Sequence, residues 1–231
     1  MLPDLAARAF DPGEPEWMDH PEADPRALAE DLAHLRTINR WFGGHAAARY
    51  AARMAEPGAS LLDVACGSGD LTVLQKHALQ AGHCVAVDRH PFTLAEAAKT
   101  HPDAGVEWRE GDATKLPFAD GSFDWVTCHL ALHHFSGPEA LVVLRELRRV
   151  ARKGVVVADL ERSAAAYAAV WLLVTLWLRA PMTRHDALLS VRRAFNRHEL
   201  QALAREAGWS GFTWSRLPWH RQAICLRLDS E

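Results

Sequence analysis

The chain has 231 residues, a formal net charge of −3 and 49% apolar residues. That length can bury one sizeable core or two small ones. The balanced charge, with no basic stripe interleaved with aromatics, gives no footing for a nucleic-acid partner. Cys66, Cys84, Cys128 and Cys225 are scattered without a C-x-x-C pair and read as reduced, buried thiols. No basic-then-apolar leader opens the sequence, so a cytoplasmic location is expected.

Residues 1–25 combine prolines and acids around Trp17 and Met18 and read as a flexible arm. Residues 26–56 carry apolar positions at helical spacing (Leu28, Leu32, Leu35, Ile38, Trp41), broken at Gly43-Gly44, which predicts two helices. Leu61-Leu62-Asp63-Val64 then reads as a buried strand, followed by a turn with Gly67 and Gly69 and a helix over Leu71–Gln80. Strand and helix patterns alternate from there: Cys84–Val87, Pro91–Lys99, Val106–Arg109, Phe123–Cys128, Pro138–Ala151, and Val155–Ala158 released by Gly154. Such alternation means right-handed crossovers and a mostly parallel α/β sheet.

Ser163–Leu178 is sixteen residues without a charge, bounded by Arg162 and Arg179. A membrane-spanning helix needs ~20 apolar residues, so this run is too short to cross. Two readings stand: a cap over a substrate mouth, within an insertion over 163–195, or a helix dipping into a membrane interface. Trp171 and Trp177 lie six apart, which a helix splays, one toward the sheet and one toward a ligand. Thr183-Arg184-His185-Asp186 is a polar cluster in this insertion; adjacent side chains seldom bond, so His185 and Asp186 are not read as a dyad. The last segment, 196–231, holds a helix (His198–Ala207) and two strands, Gly211–Arg216 and Gln222–Leu228, in an antiparallel hairpin.

A strand, a glycine turn and a helix start form the place where α/β sheets hold nucleotide-like ligands. Dinucleotide binding is not favoured, because Thr72 stands where the third glycine of G-x-G-x-x-G belongs. Asp63-Val64-Ala65-Cys66-Gly67-Ser68-Gly69, Asp88 after the next strand, Gly111-Asp112-Ala113, and Leu116-Pro117-Phe118 before Phe123-Asp124-Trp125-Val126 instead resemble the ordered motifs of class I S-adenosylmethionine (SAM)-dependent methyltransferases of the ubiquinone/menaquinone-methylase-like branch. The resemblance covers about residues 58–160 and implies a SAM-binding core over 57–162. It implies a Rossmann-like doubly wound sheet of seven strands with an antiparallel terminal hairpin, a helical lid and a helical cap after strand five.

On that resemblance Asp63 supports the loop and the methionine amino group, Ala65, Gly67, Ser68 and Gly69 approach the methionine moiety, Asp88 and Arg89 hold the ribose, and Asp112 with Ala113 holds the adenine. His129 offers its backbone to the cofactor, whose product is S-adenosylhomocysteine. Asn39, Arg40, Trp41 and His45 become candidate lid residues, with Trp41, His45, Trp171 and Trp177 against the substrate; equally, Trp41 only packs a helix on the sheet edge.

Ligands in open sheets sit outside the carboxyl ends of the strands, where His133 and His134 follow strand four. An imidazole of pKa ~6.5 suits removal of a hydroxyl proton near neutrality. His134 and His133 are the first candidates for a base and His185 the second; a purely structural role for each stands beside this. No metal site is expected, because no acidic residue stands near His129, His133 and His134 in sequence. The expected activity is O-methylation of a lipophilic phenol, polyketide or quinone-type acceptor, with C-methylation of a quinone-like ring as the alternative. A non-catalytic scaffold, peripheral membrane contact through the cap, and a homodimer through exposed tryptophans are the remaining alternatives.

Overall fold

The computed structural model describes residues 5–11, 13–20, 22–177 and 180–228. Two helices, α1 (Pro25–Trp41) and α2 (Gly44–Met54), precede β1 (Leu61–Val64), α3 (Asp70–Leu79), β2 (Cys84–Asp88), α4 (Pro91–Thr100), β3 (Glu107–Glu110) and β4 (Phe123–His129). Next come α5 (Gly137–Val150), β5 (Ala151–Leu160), α6 (Ala164–Leu176), α7 (Pro181–Arg193), α8 (Arg197–Glu206), β6 (Thr213–Leu217) and β7 (Arg221–Arg227). The seven strands form one sheet in the order β3-β2-β1-β4-β5-β7-β6, parallel except where β7 pairs with β5 and β6. The expected doubly wound architecture is therefore present.

Local chemistry explains the boundaries. Ser136 and Glu139 form a capping box at the start of α5, and Asn196 and Glu199 form another at α8, each answering two otherwise orphaned N–H groups. β1, β2 and β4 are buried along their whole length, as strands covered by helices on both faces must be. Their side chains meet Val143, Leu144 and Leu147 of α5 and Leu200 of α8 in the main core. β5 begins directly after α5, without the loop expected at Gly154. Gly154 serves close approach instead: a Cβ there would lie 2.6 Å from the Trp125 ring.

The arm departs from expectation: it is docked and not loose in its described residues. Ala9 N donates to Arg192 O at 3.1 Å, Trp17 N and Met18 N donate to the Asp186 carboxylate, and Arg8 donates to the carbonyls of His133, Phe135 and Arg193. Met1–Asp4, Pro12 and Pro21 of that arm lie outside the described residues, as do Leu178, Arg179 and residues 229–231. The polar cluster Thr183–Asp186 lies inside α7, where Thr183 and Asp186 are buried.

Candidate functional site

A cavity of about 680 Å³ lies at the carboxyl ends of β1, β2, β4 and β5. That size and position suit a small-molecule site in an open α/β sheet. Its floor at one end is the β1–α3 turn. Ala65, Gly67 and Gly69 all have positive φ (56°, 53° and 74°), which folds the turn tightly at the edge of the cavity. At Gly69 a Cβ would also lie 2.4 Å from the Trp108 ring, so only glycine fits. Asp88 at the end of β2 holds this turn: one oxygen accepts from Gly67 N at 2.9 Å, the other from His90 N at 3.0 Å. Asp112 is fixed by Thr114, which donates to it from both N and Oγ1. Ser68, Arg89 and Ala113 complete this end, and Asn39 of α1 donates to Asp70 at the start of α3.

Asp63 stands beneath the turn and not on the cavity wall. It accepts from Thr72 Oγ1 and Thr127 Oγ1, and burial pushes its pKa up. It thus ties β1 to α3 and β4. His129 reaches the cavity but is neutral: burial lowers its pKa, and its Nε2 donates to Gln75 Oε1 at 3.0 Å.

At the other end, the turn after β4 presents His133 and His134. His133 Nδ1 donates to Asp159 Oδ1 at 2.7 Å, and its backbone N donates to the other oxygen at 2.9 Å. His134 Nδ1 donates to Asp19 Oδ2 at 2.7 Å. Both Nε2 atoms face Glu16, at 3.8 Å each, and Glu16 also accepts from Ser190 Oγ at 2.8 Å. Burial opposes charge at His134, but Glu16 and Asp19 overcome it and raise its pKa to about 10. Burial likewise opposes ionisation of Asp159, and His133 overcomes it, holding the carboxyl below its ordinary value. Asp19 is also held low against burial by His134, and Arg89 lies 3.4 Å from it.

Several expected contacts are not made. Trp41 is 64% exposed beneath the Arg40 guanidinium, Trp171 is 51% exposed on α6, and Trp177, just past its end, is 75% exposed. None of the three lines the cavity; α6 instead turns Ala166, Val170, Leu173 and Val174 inward. A helix apolar all round leaves its orientation to side-chain volume, and the small face fits the cavity. His45 lies outside it, 3.8 Å from Asp70. His185 also lies outside, stacked on Trp17 at 4.4 Å, and its Nδ1 does bond its neighbour Asp186 at 2.8 Å. Sequence reading missed Glu16, Asp19 and Asp159. Asp159, at the carboxyl end of β5, was open to the same rule that found the histidines, whereas nothing but acidity marked the two arm residues.

Residues 62–158 match the family model of a methyltransferase domain. The chain is 35% identical to demethylmenaquinone methyltransferase of Bacillus licheniformis over 153 residues, 64% of each chain. It is 38% identical to that of Bacillus subtilis over 110 residues, 46% of each. Over residues 62–158 it carries a methyltransferase domain. The chain thus spans less than two thirds of the length of these relatives. The methyltransferase fold extends further: the plantazolicin methyltransferase BpumL, solved with S-adenosylhomocysteine (SAH), superposes with a TM-score of 0.68 over 92% of both chains at 12% identity. A SAM-dependent methyltransferase from Aquifex aeolicus superposes with a TM-score of 0.62 over 88% of this chain and 98% of its own at 16% identity. Among the described residues, no helix of this methyltransferase domain or its additions is long and apolar enough to cross a membrane.

Proposed function

We propose that this chain transfers the methyl group of SAM to an oxygen of a lipophilic small molecule, a phenol or a quinone-type acceptor. The cavity carries this reading, because the glycine turn with Asp88 and Asp112 and the imidazole–carboxylate cluster open into the same space. SAM lies across the turn, with its ribose hydroxyls at Asp88 and its adenine at Asp112 and Ala113. The acceptor lies beneath α6 and the arm, against Phe10, Met18, Val170 and Leu173. Its apolar lining suits a ring with an alkyl substituent, and the two demethylmenaquinone methyltransferases support an acceptor related to quinones.

Transfer is an in-line displacement. The acceptor oxygen forms a bond to the methyl carbon, the carbon–sulfur bond breaks, and its electron pair stays on sulfur as SAH is released. The donor carries its own activation, so alignment and exclusion of water supply much of the rate. The hydroxyl proton leaves to the cluster of Glu16, His133 and His134, with Asp159 orienting His133. His134 alone is a poor base at neutrality, since its neighbours keep it protonated.

C-methylation of an activated quinol ring is the second reading, favoured by the names of the relatives. Incubation with methyl-labelled SAM and long-chain phenols or demethylmenaquinol, followed by mass spectrometry, separates the two. A labelled methyl ether supports oxygen transfer, and label on ring carbon replaces it with the second reading. No label in any acceptor, with SAH bound, would leave a SAM-binding scaffold.

A further inference from the structure

Glu16, His133 and His134 bring three ligand atoms within 4.8 Å of one another at the cavity wall. We propose that they form a binding site for a first-row divalent metal ion, with Zn²⁺ as its representative. Two imidazole nitrogens and one carboxylate leave a coordination position open toward the acceptor, the pattern of catalytic rather than structural zinc.

Orientation is the strongest observation. Each imidazole donates its Nδ1–H to a separate carboxylate, Asp159 and Asp19, both at 2.7 Å. That arrangement fixes the rings and aims both Nε2 atoms at one point, as outer carboxylates do behind metal-bound histidines. Glu16 faces that point from the arm, is 1% exposed, and is steadied by Ser190. An imidazole–carboxylate hydrogen bond closes to about 2.8 Å, yet Glu16 stands 3.8 Å from both Nε2 atoms. Ligand atoms about 2.0–2.1 Å from one tetrahedral ion lie about 3.3 Å apart, so atoms already within 4.8 Å of one another need only small side-chain shifts to close the site. Charge points the same way. Three carboxylates, Glu16, Asp19 and Asp159, surround two imidazoles, with Arg89 on the outer side of Asp19. Two nitrogen donors favour a borderline ion over Mg²⁺.

If the acceptor reading above holds, the ion replaces the proton acceptor of that reading: it lowers the pKa of the acceptor hydroxyl, whose proton then passes to water and not to Glu16, His133 or His134. The site itself does not depend on that reading. Chelator-treated full-length protein should take up one equivalent of Zn²⁺ by calorimetry. Co²⁺ in its place should give visible d–d absorption, which Zn²⁺ then bleaches. Glu16→Gln and His134→Ala should each weaken Zn²⁺ at least ~30-fold, and Asp159→Asn, through orientation, ~10-fold. SAH affinity, measured on every variant, reports whether the fold and cofactor end survive. Zn²⁺ binding unaltered in Glu16→Gln and His134→Ala, or no uptake by wild type that still binds SAH, would overturn the proposal. Wild type that takes up Zn²⁺ but not SAH would keep the metal site and overturn the SAM reading.

Discussion

His133 Nδ1 and Asp159 Oδ1 lie 2.7 Å apart, joining the turn after β4 to the end of β5 across 26 positions of sequence. Two adjacent strands of the parallel sheet thereby deliver an oriented imidazole to the cavity that faces the glycine turn. Asp159→Asn keeps the shape and removes the charge that fixes the ring. Turnover with a competent acceptor should fall at least ~100-fold, the usual worth of a positioned proton acceptor, while SAH affinity stays within about threefold. Steady-state rates beside calorimetry check this; undiminished turnover would remove His133 and Asp159 from proton transfer.

Gly69→Ala tests the cofactor turn. A φ of 74° and the Trp108 ring, 2.4 Å from the place a methyl would take, both oppose it. A loss of about 1–3 kcal/mol in urea unfolding is expected, together with weakened SAH binding. A variant as stable as wild type would show that Trp108 moves freely aside.

The sheet was legible in sequence because each βα unit announced itself by an apolar run, a glycine and an amphipathic helix. The parallel part of the sheet followed from that alternation, and the antiparallel hairpin from the two terminal strand segments and the family resemblance; the order β3-β2-β1-β4-β5-β7-β6 was not read. The glycine turn was legible for the same reason, since local turn geometry at Gly67 and Gly69 is written in adjacent residues. The acceptor end was not. Glu16 reaches His133 only because the arm folds back over α7, a contact between residues more than a hundred positions apart. Nor could composition say that α6 would turn alanines and valines inward and leave Trp171 and Trp177 outside, since no charged residue marks either face.

Asp31 should make stability fall as pH rises. Burial, aided by Asp186, outweighs the hydrogen bond from Thr183 Oγ1 and raises its pKa from 3.8 to about 6. A carboxyl with a raised folded pKa stabilises the fold below its unfolded value and loses that contribution as pH climbs through about 6. Asp31→Asn should therefore gain on the order of 1–2 kcal/mol over wild type at pH 7.5 and little or nothing at pH 4.5. Urea melts at both values decide it, and a variant weaker at pH 7.5 would contradict the sign.

The cysteines should be inert in the native protein. All four are buried and free, and burial raises Cys66 and Cys128 well above the ordinary thiol value, Cys84 to about 12 and Cys225 to about 11. At pH 8 almost no thiolate is present to react. Ellman's reagent should label all four in guanidinium and none promptly without it; rapid native labelling would show that the β2–β4 region opens readily.

The most direct measurement is calorimetric titration of the chain with SAH, repeated on Asp88→Ala. Asp88 fixes the glycine turn through Gly67 N and lines the cavity, at the position proposed for the ribose hydroxyls. Micromolar binding by wild type, weakened ~10- to 100-fold in the variant, or about 1.4–2.8 kcal/mol, is the expected result. SAH binding unchanged by Asp88→Ala, or no binding by wild type with or without a lipophilic phenol, would contradict a SAM site at this turn.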